Sequence, residues 1–216
     1  MKLINVLSEK FVKTLEDHPY HRNLKTFDKN HWFGGVWKTI VQSYMTKGGM
    51  KNLINNKGKI QDDLFSMIED FPIDKSKVDE WYESSIKYLK NNYPTLTIGT
   101  SQKLINMLIK YILTSHYSRH TDEKLSFNLR KNLELIHIPI DVEVLKNCRK
   151  KFEEFKKFIH VQNKFGFGNN LSSWSNLESY SDYEKFQNKI RVKRKELRYN
   201  SSLEFEMKEL WLPKKK

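Results

Sequence analysis

One cysteine, Cys148, serves all 216 residues. A single thiol rules out an internal disulfide framework, a thiolate-built zinc site and a four-cysteine iron–sulfur cluster, and it fits a reducing compartment. Only 8 glycines and 5 prolines interrupt the chain. No apolar run approaches the roughly 18 residues of a membrane span, and residues 1–15 carry Glu9 and Lys10 inside their apolar pattern, so they lack a signal-peptide core. Strand signals are as scarce, with no sustained alternation, no internal repeat and no low-complexity linker. The expectation is an all-α, soluble, intracellular protein. Acidic residues are also in the minority, 26 against 39 lysines and arginines, for a net charge of +13. That balance points to a polyanionic partner, usually nucleic acid, or to a solvated lysine-rich surface. Arg191, Lys193, Arg194 and Lys195 concentrate it, as do Lys214, Lys215 and Lys216.

Apolar residues spaced by three and four predict helices over 3–16, 31–46, 60–70, 77–93, 100–116, 123–135, 141–159, 181–197 and 202–212. Pro19, the Gly48-Gly49 pair and Pro94 stop three of them, since proline disfavours helical angles in the residue before it. Ser181 and Glu184 have the spacing of a capping box. Gly34 and Gly35, beside Trp32 and Trp37, suggest close helix packing. Residues 163–173, with Gly166, Gly168, Asn169 and Asn170, are the most irregular stretch and a candidate pocket loop. The expected organisation is one helical domain, 1–216, of two lobes sharing a cleft.

Two helix starts carry the candidate chemistry. Around Gly99 a short turn joins two helices, and the second, opening at Thr100 or Ser101, aims backbone N–H groups and a positive dipole end outward, as an anion site does. Lys103 then falls in the first turn, where a cation is disfavoured and its pKa is lowered. A neutral amine attacks carbon and an ammonium does not, so the placement has a use, although a lone lysine is more often a solvated one. Asp141 stands at the N-cap of the next long helix, ahead of Val144, Leu145, Cys148, Phe152 and Phe155.

Gly99-x-x-x-Lys103 opening one helix and Pro139-Ile140-Asp141 opening another resemble the helix-hairpin-helix DNA glycosylase superfamily. The match covers roughly residues 80–160, with the hairpin motif at about 77–116 and the aspartate helix at about 141–159. The Gln102-Lys103 pair, the helical composition and the lack of a cysteine cluster look most like the archaeal 8-oxoguanine glycosylase branch. The resemblance implies Lys103 as amine nucleophile, Asp141 as catalytic carboxylate, and Gly99, Thr100, Ser101 and Gln102 as a DNA-backbone anchor. It implies excision of a flipped oxidised or otherwise modified base from double-stranded DNA through a lysine Schiff base, with abasic-site lyase activity and no metal or cofactor. The expected protein is a cytoplasmic monomer that joins the nucleoid through DNA. Repair of 8-oxoguanine and excision of modified bases from viral DNA both stay open.

Candidates for stacking on the flipped base are Phe165, Phe167 and Trp174 around the irregular stretch, or Trp32 and Trp37, although aromatic residues at helical spacing are more often core. His137 either faces the cleft or is a core, backbone-bonded histidine, the commoner case. The other readings are a non-catalytic helix-hairpin-helix DNA-binding protein and a helical protein-interaction factor. Lys103 and Asp141 lie 38 positions apart. They meet only if the helix at 123–135 folds back.

Overall fold

Proline, glycine and capping residues divide the chain into short helices, and the computed structural model describes them over residues 29–44, 50–117, 123–158 and 177–211. Among the described residues every regular element is helical. They are α1 (Lys29–Tyr44), α2 (Met50–Asn55), α3 (Lys57–Glu69), α4 (Val78–Asn92), α5 (Ile98–Tyr117), α6 (Glu123–Lys131), α7 (Val142–Lys151), α8 (Glu153–Phe158), α9 (Tyr180–Glu196) and α10 (Ser202–Phe205). Single 3-10 turns precede α4 (Lys75–Lys77) and follow α6 (Leu133–Leu135), and a π-helical stretch, Glu206–Trp211, continues α10. None of the described helices is long and apolar enough to cross a membrane. The helix expected at 3–16, the irregular stretch at 163–173 with Phe165 and Phe167, Trp174, and the lysines at 214–216 lie outside the described residues.

Five of the other helices are laid against α5. Its Leu104, Ile105, Leu108, Ile109, Ile112 and Leu113 point in several directions and are all buried, the mark of an enclosed helix rather than a surface one. α1, α4 and α6 pack along it, with smaller contacts from α3 and α9. An enclosed helix would ordinarily be apolar all round. This one also buries Gln102, Asn106 and Lys110, four residues apart on one stripe, beside Lys103. Those polar groups need partners inside the fold, and they organise the site.

Several boundaries differ from the sequence expectation. α5 starts at Ile98, because Thr97 and Thr100 cap each other. The Thr97 hydroxyl accepts from the Thr100 N–H at 3.1 Å, and the Thr100 hydroxyl accepts from the Thr97 N–H at 2.8 Å. The helix expected over 141–159 is two helices, broken at Phe152, whose extended backbone turns the ring onto Phe155 and Phe205. Ser179, not Ser181, caps α9, accepting from the Asp182 N–H at 3.3 Å. Close packing does not explain Gly34, since a Cβ there would meet nothing within 4 Å. Trp32 and Trp37 are core residues and are removed as base-stacking candidates.

The basic run in α9 is largely spoken for. Arg194 donates to the carbonyls of Tyr199, Asn200 and Glu134, Arg191 grips Asp79, and Lys193 pairs with Glu154 and Glu196. Arg198, at φ 60°, ends the helix in the left-handed position where glycine is usual. The Tyr199 N–H returns to the Arg194 carbonyl and the Arg198 N–H to that of Lys195.

Candidate active site

With α5 beginning at Ile98, Lys103 is its sixth residue and lies in the second turn. The helix dipole fades within the first turn, so the expected dipole effect is replaced by another. Burial pushes the Lys103 amine below its usual range, and the Asp141 carboxylate opposes that shift. The first-turn amides are engaged inside the protein. Gly99 donates to the Leu177 carbonyl at 2.9 Å, Thr100 to the Thr97 hydroxyl, and Ser101 to the Thr97 carbonyl at 2.9 Å. Gly99, Thr100, Ser101 and Gln102 are buried. Their expected role as a DNA-backbone anchor is therefore corrected: amides already donated within the fold, on residues closed to solvent, do not face a phosphate.

Opposite α5 runs an extended segment, residues 136–141. An extended chain with no strand beside it must find other partners for its peptide groups, and here side-chain amides supply them. Gln102 accepts from the Ile140 N–H at 3.0 Å and donates to the Ile140 carbonyl at 2.9 Å. Gln187 of α9 treats Ile138 the same way, at 3.2 and 2.8 Å. Asn106 adds a donation to the Ile138 carbonyl at 3.2 Å. Residues two apart in an extended chain present their N–H and C=O to the same side, so the two glutamines act as successive rungs of a ladder. Pro139 falls between the rungs, where its missing N–H is not needed on this side.

The segment ends at Asp141, whose two carboxylate oxygens have separate tasks. Oδ1 accepts from the Val144 N–H at 2.9 Å and caps α7. Oδ2 lies 3.5 Å from the Lys103 Nζ, with the two side chains 10% and 14% exposed. An amine and a carboxylate 38 positions apart in the chain are thus brought face to face, nearly enclosed yet still reachable. The carboxylate can hold or accept a proton from the amine, and burial favours the amine in its neutral, nucleophilic form.

His137 does not face a cleft, so its expected place in a base pocket is corrected. Its ring stacks on Tyr82, centroids 3.8 Å apart, and its backbone N–H donates to the Tyr82 hydroxyl at 3.1 Å. Arg191 lies 2.8 Å from Nε2. A guanidinium only donates, so Nε2 accepts, and the ring proton sits on Nδ1 toward the Tyr183 hydroxyl at 2.6 Å. The imidazole is neutral, and burial pushes its pKa down to about 4. Unfolding lets it return to about 6.5. Stability is therefore full above pH ~6.5 and falls as the pH drops toward about 4, by at most about 1.4 kcal/mol per unit and about 3 kcal/mol in all. Urea midpoints at about pH 7 and about pH 4.5 measure this, and His137→Gln should flatten the difference.

The polar residues that brace the extended segment and its surroundings, Gln187, Asn106, Tyr82, Tyr183, Arg191 and Asp79, are not among those expected from the sequence. Only the spacing of Gln102, Asn106 and Lys110 on an otherwise apolar helix hinted at them. Nor was the pairing of Lys110 with Glu206 expected, 2.7 Å apart and 2% and 0% exposed. Among the described residues no group of His, Cys, Asp and Glu is arranged to hold a metal. A surface groove between α3 and α4, lined by Asp63, Met67, Asp70, Trp81 and Tyr88 among others, shares no residue with the Lys103–Asp141 pair. Comparison with protein-family models, curated proteins and solved structures finds no match to this chain.

Proposed function

We propose that this protein is a DNA glycosylase with abasic-site lyase activity, acting on an oxidised or otherwise modified base. The observation that supports it is the 3.5 Å approach of the Lys103 amine to the Asp141 carboxylate at the ends of two helix-opening motifs. The reading expects a DNA-sized groove between two helical lobes, with the target nucleotide turned out of the duplex so that its C1′ reaches Lys103. The net charge of +13 suits such a partner.

Neutral Lys103 attacks C1′ as the bond to the base breaks, and the base leaves with the bonding electron pair and takes up a proton. Asp141 stabilises the positive charge that grows on the sugar and accepts the proton released from nitrogen. The C1′–O4′ bond then breaks, O4′ leaves with the bonding pair and takes the proton held by Asp141, and a protonated imine joins Lys103 to C1′. Loss of a C2′ proton then expels the 3′ phosphate by β-elimination, and water releases the lysine. Borohydride intercepts the imine by reducing it to a stable amine, leaving protein and DNA covalently joined.

The test is borohydride trapping on duplexes that carry an abasic site or one of a panel of modified bases. Covalent adduct on at least one is the expected result; no adduct on any of them ends the reading. Asp141→Asn keeps the α7 cap, because asparagine caps as well as aspartate. It should leave the fold intact and slow single-turnover base release by about 100-fold. Unchanged release would remove Asp141 from the chemistry.

A further inference from the structure

Building on that reading, we propose that Gln102 is a positioning residue, setting the distance between the Lys103 amine and the Asp141 carboxylate. Gln102 precedes Lys103 on α5, and the residue it grips, Ile140, precedes Asp141. One side-chain amide therefore ties together the positions immediately before the two reacting groups.

The amide is saturated. Its oxygen accepts from the Ile140 N–H at 3.0 Å and from Asn106 Nδ2 at 3.0 Å, and its nitrogen donates to the carbonyls of Ile140 at 2.9 Å and Gly99 at 2.8 Å. Two acceptor and two donor positions are all that a primary amide has. Four bonds of fixed polarity leave one orientation, since a flip would set oxygen against carbonyl oxygens and N–H against N–H. Gln102 has 0% exposure, so it meets neither solvent nor DNA. What it does is fix α5 against the extended segment at the point where that segment delivers Asp141. Asn106, one turn further on, bonds to the Gln102 oxygen, the Ile138 carbonyl and the Tyr183 hydroxyl, and stops the clamp from sliding along the segment.

Gln187 is the internal control. It makes the same two bonds to the same extended segment at Ile138, and it touches neither Lys103's nor Asp141's neighbour in the chain. A purely structural role predicts the same consequences for the loss of either glutamine. A positioning role does not.

The experiment measures the rate of borohydride trapping on abasic-site duplex against pH, for wild type, Gln102→Leu and Gln187→Leu, per folded molecule. For Gln102→Leu the maximal rate should fall about 10- to 100-fold, the cost of a misplacement near 1 Å. Its acid limb should also move to lower pH, because a carboxylate that retreats no longer holds the amine's proton. Duplex affinity should stay within about threefold, as neither glutamine faces DNA. Gln187→Leu should lower the melting temperature and keep the wild-type acid limb. If Gln102→Leu does not fold, Gln102→Asn, which keeps an amide one methylene too short to reach Ile140, should show the same two changes to a smaller degree. Gln102 variants with the wild-type rate and acid limb per folded molecule overturn the proposal. A wild-type protein that is never trapped instead removes the glycosylase reading itself, a separate outcome.

Discussion

Lys103→Ala is expected to abolish borohydride trapping, a loss of at least about 1,000-fold, while duplex binding stays within a few-fold of wild type. In the proposed reaction the amine nitrogen forms the bond to the sugar, and among the described residues no neighbouring lysine is placed to replace it. Lys110, the next lysine on that stripe of α5, is 2% exposed and held at 2.7 Å by Glu206, so it cannot reach a sugar. Water can still attack C1′ in the variant, which would leave slow base release without a covalent adduct. The two assays therefore separate nucleophile from scaffold: trapping reads the amine, and gel-shift affinity reads the surface. Lys103→Ala also takes away the amine beside Asp141, but the carboxylate keeps its bond from the Val144 N–H, so α7 stays capped. Persisting adduct would mean that another lysine is the nucleophile. Concerted loss of adduct, binding and helical signal would mean that Lys103 serves the fold.

Glu206→Ala is expected to be the most destabilising single change described here. Removing one member of a buried ion pair strands the other's charge, at a cost of about 3–5 kcal/mol. Total stabilities run to about 5–15 kcal/mol, so such a loss is a large share of the whole. For a chain of this size each kcal/mol lowers the melting temperature by about 2–4 °C, which makes the expected drop on the order of 10 °C. The double change Lys110→Met with Glu206→Leu should recover most of it, since apolar groups of similar volume replace a buried pair at little or no net cost. Thermal and urea melts of the two variants and wild type measure this. Glu206→Ala within about 1 kcal/mol of wild type would show that water or rearrangement relieves the Lys110 charge.

The helical class was legible because apolar residues recur at three and four along most of the chain, and α3, α4 and the start of α6 fall close to where that spacing puts them. The approach of Lys103 to Asp141 was legible for a different reason. Both sit beside helix-opening signals, Thr97 to Gln102 in one case and Pro139 to Asp141 in the other. What could not be read is everything that depends on partners remote in sequence. Gln102, next to a lysine after a glycine, looks like a surface residue at a helix start, and only the distant Ile140 shows why it is buried. His137 reads from the sequence as either a cleft or a core histidine, and only Tyr82 and Arg191, remote in the chain, decide for the core. Gly99 invited a turn, but two threonines capped the helix ahead of it. Phe152 fits a helical spacing and still breaks the helix, because its ring is more fully used against Phe205. Nothing local marks the end of α9, where an arginine takes the left-handed position.

The clamp on residues 136–141 draws on α4, α5 and α9 at once, through Tyr82, Gln102 and Gln187. Contacts between groups so distant along the polymer require large loops to close before any of them contributes, and such topologies assemble late and all together. A peptide limited to the two helix-opening motifs would hold both side chains and Gln102, and still lack Tyr82 and Gln187, which fix the extended segment to α4 and α9. The approach of the amine to the carboxylate would then report on completion of the entire domain, since a partly folded chain has no means of holding the two side by side.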